Sequence, residues 1–81
     1  MHQSRQDIIA LMVNELREMD VQISEEMPEN LAFRADLGMD SLAVVEFVAR
    51  MEQLYHIQIA DDVWQTLDCV GRVADYLERL T

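Results

Sequence analysis

Asp36-Leu37-Gly38-Met39-Asp40-Ser41-Leu42 is the stretch in which an irregular segment turns into a helix. Gly38 ends the segment, and Asp40 is a fitting N-cap, its carboxylate able to accept from a backbone N–H one turn in. From Ser41 to about His56, the residues Val44, Phe47, Val48, Met51, Leu54 and Tyr55 recur at spacings of three and four. That period predicts an amphipathic helix with one core stripe. A second apolar set on the same helix, Leu42, Val45 and Ala49, projects to a different side. A helix in so small a protein buries one broad stripe. The second set is therefore either covered by a short further helix or left beside Ser41 as a docking patch.

Working outward, Ser4 followed by Asp7 has the spacing of a capping box, with Asp in place of the usual Glu. Ile9, Met12, Val13, Leu16 and Met19 then recur at helical intervals and predict a first helix over about 5–19. Val21 to Gly38 contains Pro28, Asn30 and scattered acids without a sustained period, so a long, mostly irregular connection is expected. Loops of that length are uncommon in compact domains unless they are functional. Downstream, Ile57-Gln58-Ile59 alternates but is too short to stand as a strand without a partner, and is read as an extended connector. Asp61 to Leu67 suggests a short helix, and Asp68 is expected to cap a last one carrying Val70, Val73, Leu77 and Leu80. The fold class is all-α: three longer helices and one short one around a single core, with a long first loop. No repeat, low-complexity tract or Gly/Ser linker divides the chain, so residues 1–81 read as one domain.

Composition narrows the partners. The 81 residues are 51% apolar with only three Gly or Pro, which marks a folded chain and not a linker. Sixteen Asp and Glu face six basic residues, all Arg, for a formal charge of -10. That balance repels phosphate backbones and anionic lipid, disfavouring nucleic acid and membrane surfaces and favouring a basic protein surface. The charge is uneven: residues 15–40 carry a net -6, whereas 41–59 carry -1. The longest apolar run, Ile8 to Val13, is six residues, far below the roughly 20 that a membrane span needs. The first residues do not read as a secretory signal. A single cysteine, Cys69, allows no intrachain disulfide and suggests a reducing, cytoplasmic home.

The residue types of the opening stretch bear on three chemistries. A calcium loop starting at Asp36 would place Ser41 where Gly is needed and Phe47 where Glu is needed, so that reading fails. A hydrolytic Ser41 lacks a G-x-S-x-G setting, and the histidines, His2 and His56, are far from it in sequence. What Ser41 offers is a hydroxyl at a helix N-terminus, where free N–H groups and the macrodipole favour an attached phosphate, although neighbouring Asp40 opposes that anion. Chemistry on Ser41 would have to come from another enzyme.

Asp-Leu-Gly-Met-Asp-Ser-Leu over 36–42 resembles the attachment motif of the acyl carrier protein family, in which the serine bears a 4'-phosphopantetheine arm. Val45-Glu46, Glu52, Tyr55, Ile59, Asp61, Val70 and Ala74-Asp75-Tyr76-Leu77 continue the likeness to bacterial fatty-acid carriers without a gap. The resemblance implies a four-helix carrier bundle, with Ser41 as the site modified from coenzyme A by a phosphopantetheinyl transferase. Asp40, Leu42, Val45 and Glu46 fall at positions that meet the transferase and client enzymes, and Ala49 shares their face. Phe47, Val48, Met51 and Tyr55 would line the space into which an acyl chain retreats. The implied protein is a non-catalytic monomer without a metal, loaded by an acyl or aminoacyl ligase or transferase and docking to synthases with basic surfaces. Ala43, Arg50, Gln53-Leu54 and Ala60 depart from the fatty-acid pattern and leave Glu46 and Glu52 as the acids of the second helix. This points to a dedicated synthetic system, of fatty-acid, polyketide or specialised acyl type. Asp62-Val63-Trp64 with Thr66 is similar to D-alanyl carrier proteins, which leaves an aminoacyl or peptidyl cargo open, while Trp64 can equally be packing the short helix. An unmodified helical interaction domain is the remaining alternative.

Overall fold

The computed structural model describes residues 4–23 and 29–80. The expectations for His2, Glu25, Glu26 and Pro28 lie outside these residues. Four helices follow in order: α1 (Arg5–Glu18), α2 (Ser41–Tyr55), α3 (Asp61–Trp64) and α4 (Val70–Leu80). α1 packs against both α4 and α2. Among the described residues there is no strand, only one isolated antiparallel bridge between Ala32 and Cys69.

Local chemistry sets the helix ends. The Ser4 hydroxyl accepts from the Asp7 N–H at 3.1 Å, so the serine half of the capping box forms. α1 stops where Asp20 takes a left-handed φ of 64° and the Val21 N–H returns to the Leu16 carbonyl at 3.0 Å. α2 ends in the same manner: His56 is left-handed at φ 55°, and the Ile57 N–H bonds the Glu52 carbonyl at 3.1 Å. The Glu52 carboxylate then accepts from the Ile59 N–H at 2.7 Å, which holds the connector extended.

Three expectations need correction. The buried line of α1 is Ile8, Met12 and Leu16, while Ile9, Val13 and Met19 are half-buried. Adjacent apolar pairs gave two possible stripes, and the positions of α2 and α4 select one. Leu54 and Leu80, expected in the core, are 43% and 50% exposed. Both lie near helix ends, beyond what the neighbouring helices cover. Asp68 does not cap α4: the Cys69 carbonyl accepts the first helical bond, from Val73 N at 3.2 Å, so Cys69 occupies the entry position. The Asp68 carboxylate instead faces Arg72 Nε at 3.4 Å.

The loop before α2 is irregular but packed. Phe33 is 1% and Met39 5% exposed, and both join the core formed by the buried faces of the helices. The Phe33 ring lies 5.3 Å from that of Phe47, tilted by 56°. Farther back, the Glu29 carbonyl accepts from Gly71 N at 2.8 Å, a close approach that glycine eases, since a Cβ there would stand 3.1 Å from the same oxygen and the loop would have to give by a few tenths of an ångström. Arg5 completes the clamp, its guanidinium reaching Glu29 at 2.5 Å, Asp75 at 2.6 Å and Glu78 at 2.5 Å. One cation thereby ties the loop to α1 and α4.

Candidate functional site

Ser41 is the first residue of α2, and its side chain is exposed. Asp40 precedes it in extended geometry at φ -84° and ψ 178°, with its carboxylate accepting from Ala43 N at 2.8 Å. The first-turn N–H groups of a helix have no helical partner, and Asp40 satisfies one of them while leaving the hydroxyl of Ser41 directed outward. Gly38 makes the turn into this junction with a φ of 69°. The Asp36 carboxylate accepts from Ala32 N at 2.7 Å, and the Asp36 N–H bonds the Ala32 carbonyl at 3.0 Å. This small closed loop carries Arg34 to the junction, where its Nη2 donates to Ser41 Oγ.

Beside the serine opens a groove of about 690 Å³. Its walls are Phe33, Val44, Trp64 and Leu67, with Arg34 and Gln65 supplying polar edges. The indole of Trp64 is held by a hydrogen bond from Nε1 to Asp61 at 3.1 Å. Phe47 and Met51 are enclosed in the core, Val48 is buried and Tyr55 half-buried, and none of these residues, expected to line an acyl chain, lines this groove. Burial raises the Tyr55 hydroxyl above its usual range, with the negative charge of Asp7 adding to the effect.

The second apolar set of α2 is uncovered. Leu42 is 80% and Val45 46% exposed, and Glu46 and Ala49 are exposed beside them. The short helix α3 does not cover this set. The acids of α2 are less available than their number suggests. Arg50 lies 3.7 Å from Glu46, while its Nη1 approaches Glu18 at 3.4 Å and Glu15 at 3.9 Å. Glu52 is bound to the Ile59 backbone. A hydrogen bond with Glu18 and partial desolvation raise the Glu15 carboxyl above its ordinary value, although Arg50 opposes the shift. Among the described residues no group of three His, Cys, Asp or Glu side chains is placed to hold a metal, and no helix is long and apolar enough to cross a membrane.

The family model described as the phosphopantetheine attachment site matches residues 7–77. An acyl carrier protein from Amoebophilus asiaticus is 33% identical over 79 residues, covering 98% of this chain and 94% of the relative. The chain belongs to the acyl carrier protein family. A carrier from Porphyromonas gingivalis is 35% identical over 79 residues, covering 98% and 96%. The solved structure of the acyl carrier protein from Enterococcus faecalis superposes with a TM-score of 0.79 at 22% identity, spanning 98% of this chain and all of that one. This likeness confirms the four-helix arrangement predicted by periodicity and the carrier bundle implied by the resemblance.

Members of this family bear a covalently attached 4'-phosphopantetheine, and the residues of this carrier fit such a group. An exposed hydroxyl begins a helix, a guanidinium contacts it, and a groove with apolar walls adjoins it. Sequence reasoning missed Arg34, Phe33, Trp64 and Leu67 as members of this region. No period or spacing relates Arg34 to Ser41 across a glycine turn. Phe33, Trp64 and Leu67 meet Val44 only because the bridge at Ala32 and Cys69 brings the loop against the connection between α3 and α4.

Proposed function

We propose that this chain is a single, non-catalytic carrier domain that bears the phosphopantetheine arm on Ser41 and presents acyl thioesters to partner enzymes. The observation that carries the reading is the solvent-facing Ser41 hydroxyl at the start of α2, set between the uncovered Leu42–Val45–Ala49 face and the groove. In the modification, Ser41 Oγ attacks the coenzyme A phosphate that bears pantetheine. The Oγ–P bond forms as the P–O bond to adenosine bisphosphate breaks, and the hydroxyl proton passes to a base on the transferase, which brings Mg²⁺. The bound arm supplies a terminal thiol that holds cargo as a thioester.

The chain's own residues divide the remaining work. Leu42, Val45, Glu46 and Ala49 offer a contact surface for the transferase and client enzymes, with Asp40 at its edge. Because tethering raises the effective concentration of cargo at a client site, these contacts can stay weak and reversible. With Glu46 beside Arg50, Glu52 bonded to the Ile59 backbone, and the loop acids Glu29 and Asp36 bonded to Arg5 and Ala32, clients would meet a largely apolar face on the helix, with the capping Asp40 at its edge. The groove walls Phe33, Val44, Trp64 and Leu67 would receive the arm or the start of an acyl chain, with Phe47, Val48, Met51 and Tyr55 as the deeper lining should the chain enter the core. A cytoplasmic setting and a specialised acyl pathway complete the reading, supported by the single cysteine and by the dilution of acids on α2.

Incubation with coenzyme A and a broad-specificity transferase, followed by intact mass measurement, tests this. The expected result is one phosphopantetheine added to the wild type and none to Ser41→Ala. Equal gain on both proteins, or no gain on the wild type, refutes it.

A further inference from the structure

We propose that Arg34 is a positioning residue that holds the phosphodiester of the arm. This rests on Ser41 being the attachment residue. Arg34 is exposed and donates through Nη2 to the neutral Ser41 Oγ. Among the described residues it enters no ion pair. Three other arginines do: Arg5 reaches carboxylates at 2.5 Å, Arg50 at 3.4 Å and Arg72 at 3.4 Å. The one cation in contact with the attachment hydroxyl is thus left without a described carboxylate partner.

The loop fixes this placement from both sides. Phe33, immediately before Arg34, is buried, its N–H bonds the Asp68 carbonyl at 2.9 Å and its carbonyl accepts from Met39 N at 2.9 Å. Two residues after Arg34, Asp36 closes back on Ala32. The guanidinium therefore starts from an anchored backbone and needs little rearrangement to remain at the junction.

Esterification changes what the guanidinium meets. Ser41 Oγ becomes a bridging ester oxygen, a weaker acceptor, and the non-bridging oxygens appear two bonds further on, beyond the phosphorus and within reach of a side chain that already touches Oγ. A guanidinium bonds an anionic oxygen more strongly than a neutral one, and its fork matches two phosphate oxygens. Asp40, one residue away, adds a like charge that the phosphodiester must tolerate, and Arg34 offsets it. Because Arg34 also edges the groove, the same contact directs the root of the arm toward Trp64 and Leu67 and keeps it off Leu42 and Val45.

The test uses fully modified protein, with wild type, Arg34→Gln and the control Arg17→Gln each driven to completion with excess transferase and verified by mass. Phosphorus NMR of the intact holo proteins should show the phosphodiester resonance displaced in Arg34→Gln relative to wild type, with Arg17→Gln superimposed on wild type. In wild type, the Arg34 Nε–H cross-peak should move on modification. Melting of the unmodified Arg34→Gln protein should match the wild type, which separates positioning from folding. Superimposed phosphorus resonances in Arg34→Gln and wild type overturn the proposal while leaving Ser41 as the attachment site. Absence of a mass gain on wild type would instead remove the attachment reading and this one with it.

Discussion

Val44 and Val45 are adjacent in sequence and divided by the fold, which makes a matched pair of substitutions to Asp a sharp test of the docking face. Val44 is 8% exposed in the core and Val45 46% exposed on the open side of α2. Valine and aspartate have similar helix propensities, so the difference between the variants reads environment. At Val45 about half of the surface is already wet, so about 0.8–1.6 kcal/mol of the roughly 1.5–3 kcal/mol of full valine burial is at stake. For a domain of this size that corresponds to a melting shift of about 3–13 °C, at every conversion factor smaller than the shift for Val44. At Val44 nearly all of the burial is lost and a carboxylate is forced against the core, a combined loss above about 3 kcal/mol. Against a total stability of roughly 4–12 kcal/mol expected for a chain of this length, Val44→Asp should melt at least 12 °C lower or fail to fold. Modification by a transferase, followed by mass spectrometry, supplies the functional half. If Val45 is a central contact, its loss costs about 2 kcal/mol of binding, roughly 30-fold in transfer efficiency at low substrate. Equal thermal losses in the two variants, or Val45→Asp modified at the wild-type rate, would refute the assignment of this face.

Gly38 stands at φ 69° with nothing near the position of an added Cβ, so Gly38→Ala meets only the left-handed backbone penalty, about 1 kcal/mol or somewhat more; thermal melting should fall by about 4–8 °C, with Gly38→Asn milder, and an unchanged melt would contradict the left-handed turn. Folding raises the Glu15 carboxyl, mainly through its hydrogen bond with Glu18, so the folded state holds that proton more tightly than the unfolded one. Its contribution to stability is then fully present below the unfolded carboxylate value and is lost as pH rises through the raised folded value. Melts of wild type and Glu15→Gln across pH 4 to 7 should show the variant gaining on the wild type toward neutrality, and a difference that stays flat or shrinks would reverse the sign of this coupling.

The helices were legible because each carries its own signal. Asp40 and Ser4 announced their N-termini as caps, and the three-and-four spacing of Val44, Phe47, Val48 and Met51 marked the buried face of α2. The split between that face and the Leu42–Val45–Ala49 set was also visible, since it follows from helical geometry alone. Its state of cover was not, because cover depends on where a neighbouring element packs. For the same reason the choice between Ile8 and Ile9 on α1, and the exposure of Leu54 and Leu80, could not be read from periodicity. The acid-rich loop offered no period at all, yet it contributes Phe33 and Met39 to the core, with Phe33 bonded to the Asp68 carbonyl far along the chain and Met39 bonded in turn to Phe33.

What the sequence determined by itself is the set of local elements and the attachment motif: a capped helix beginning at Ser41, a Gly38 that closes the loop before it and an apolar stripe behind it. Only the tertiary structure decided what surrounds that hydroxyl. Arg34, Phe33, Trp64 and Leu67 reach it from three segments with no shared period, drawn together by the Ala32–Cys69 bridge, the Asp36 turn and the clamp of Arg5 on Glu29, Asp75 and Glu78. Helical pattern is a short-range property of the backbone, whereas a site assembled from loops depends on packing between distant segments.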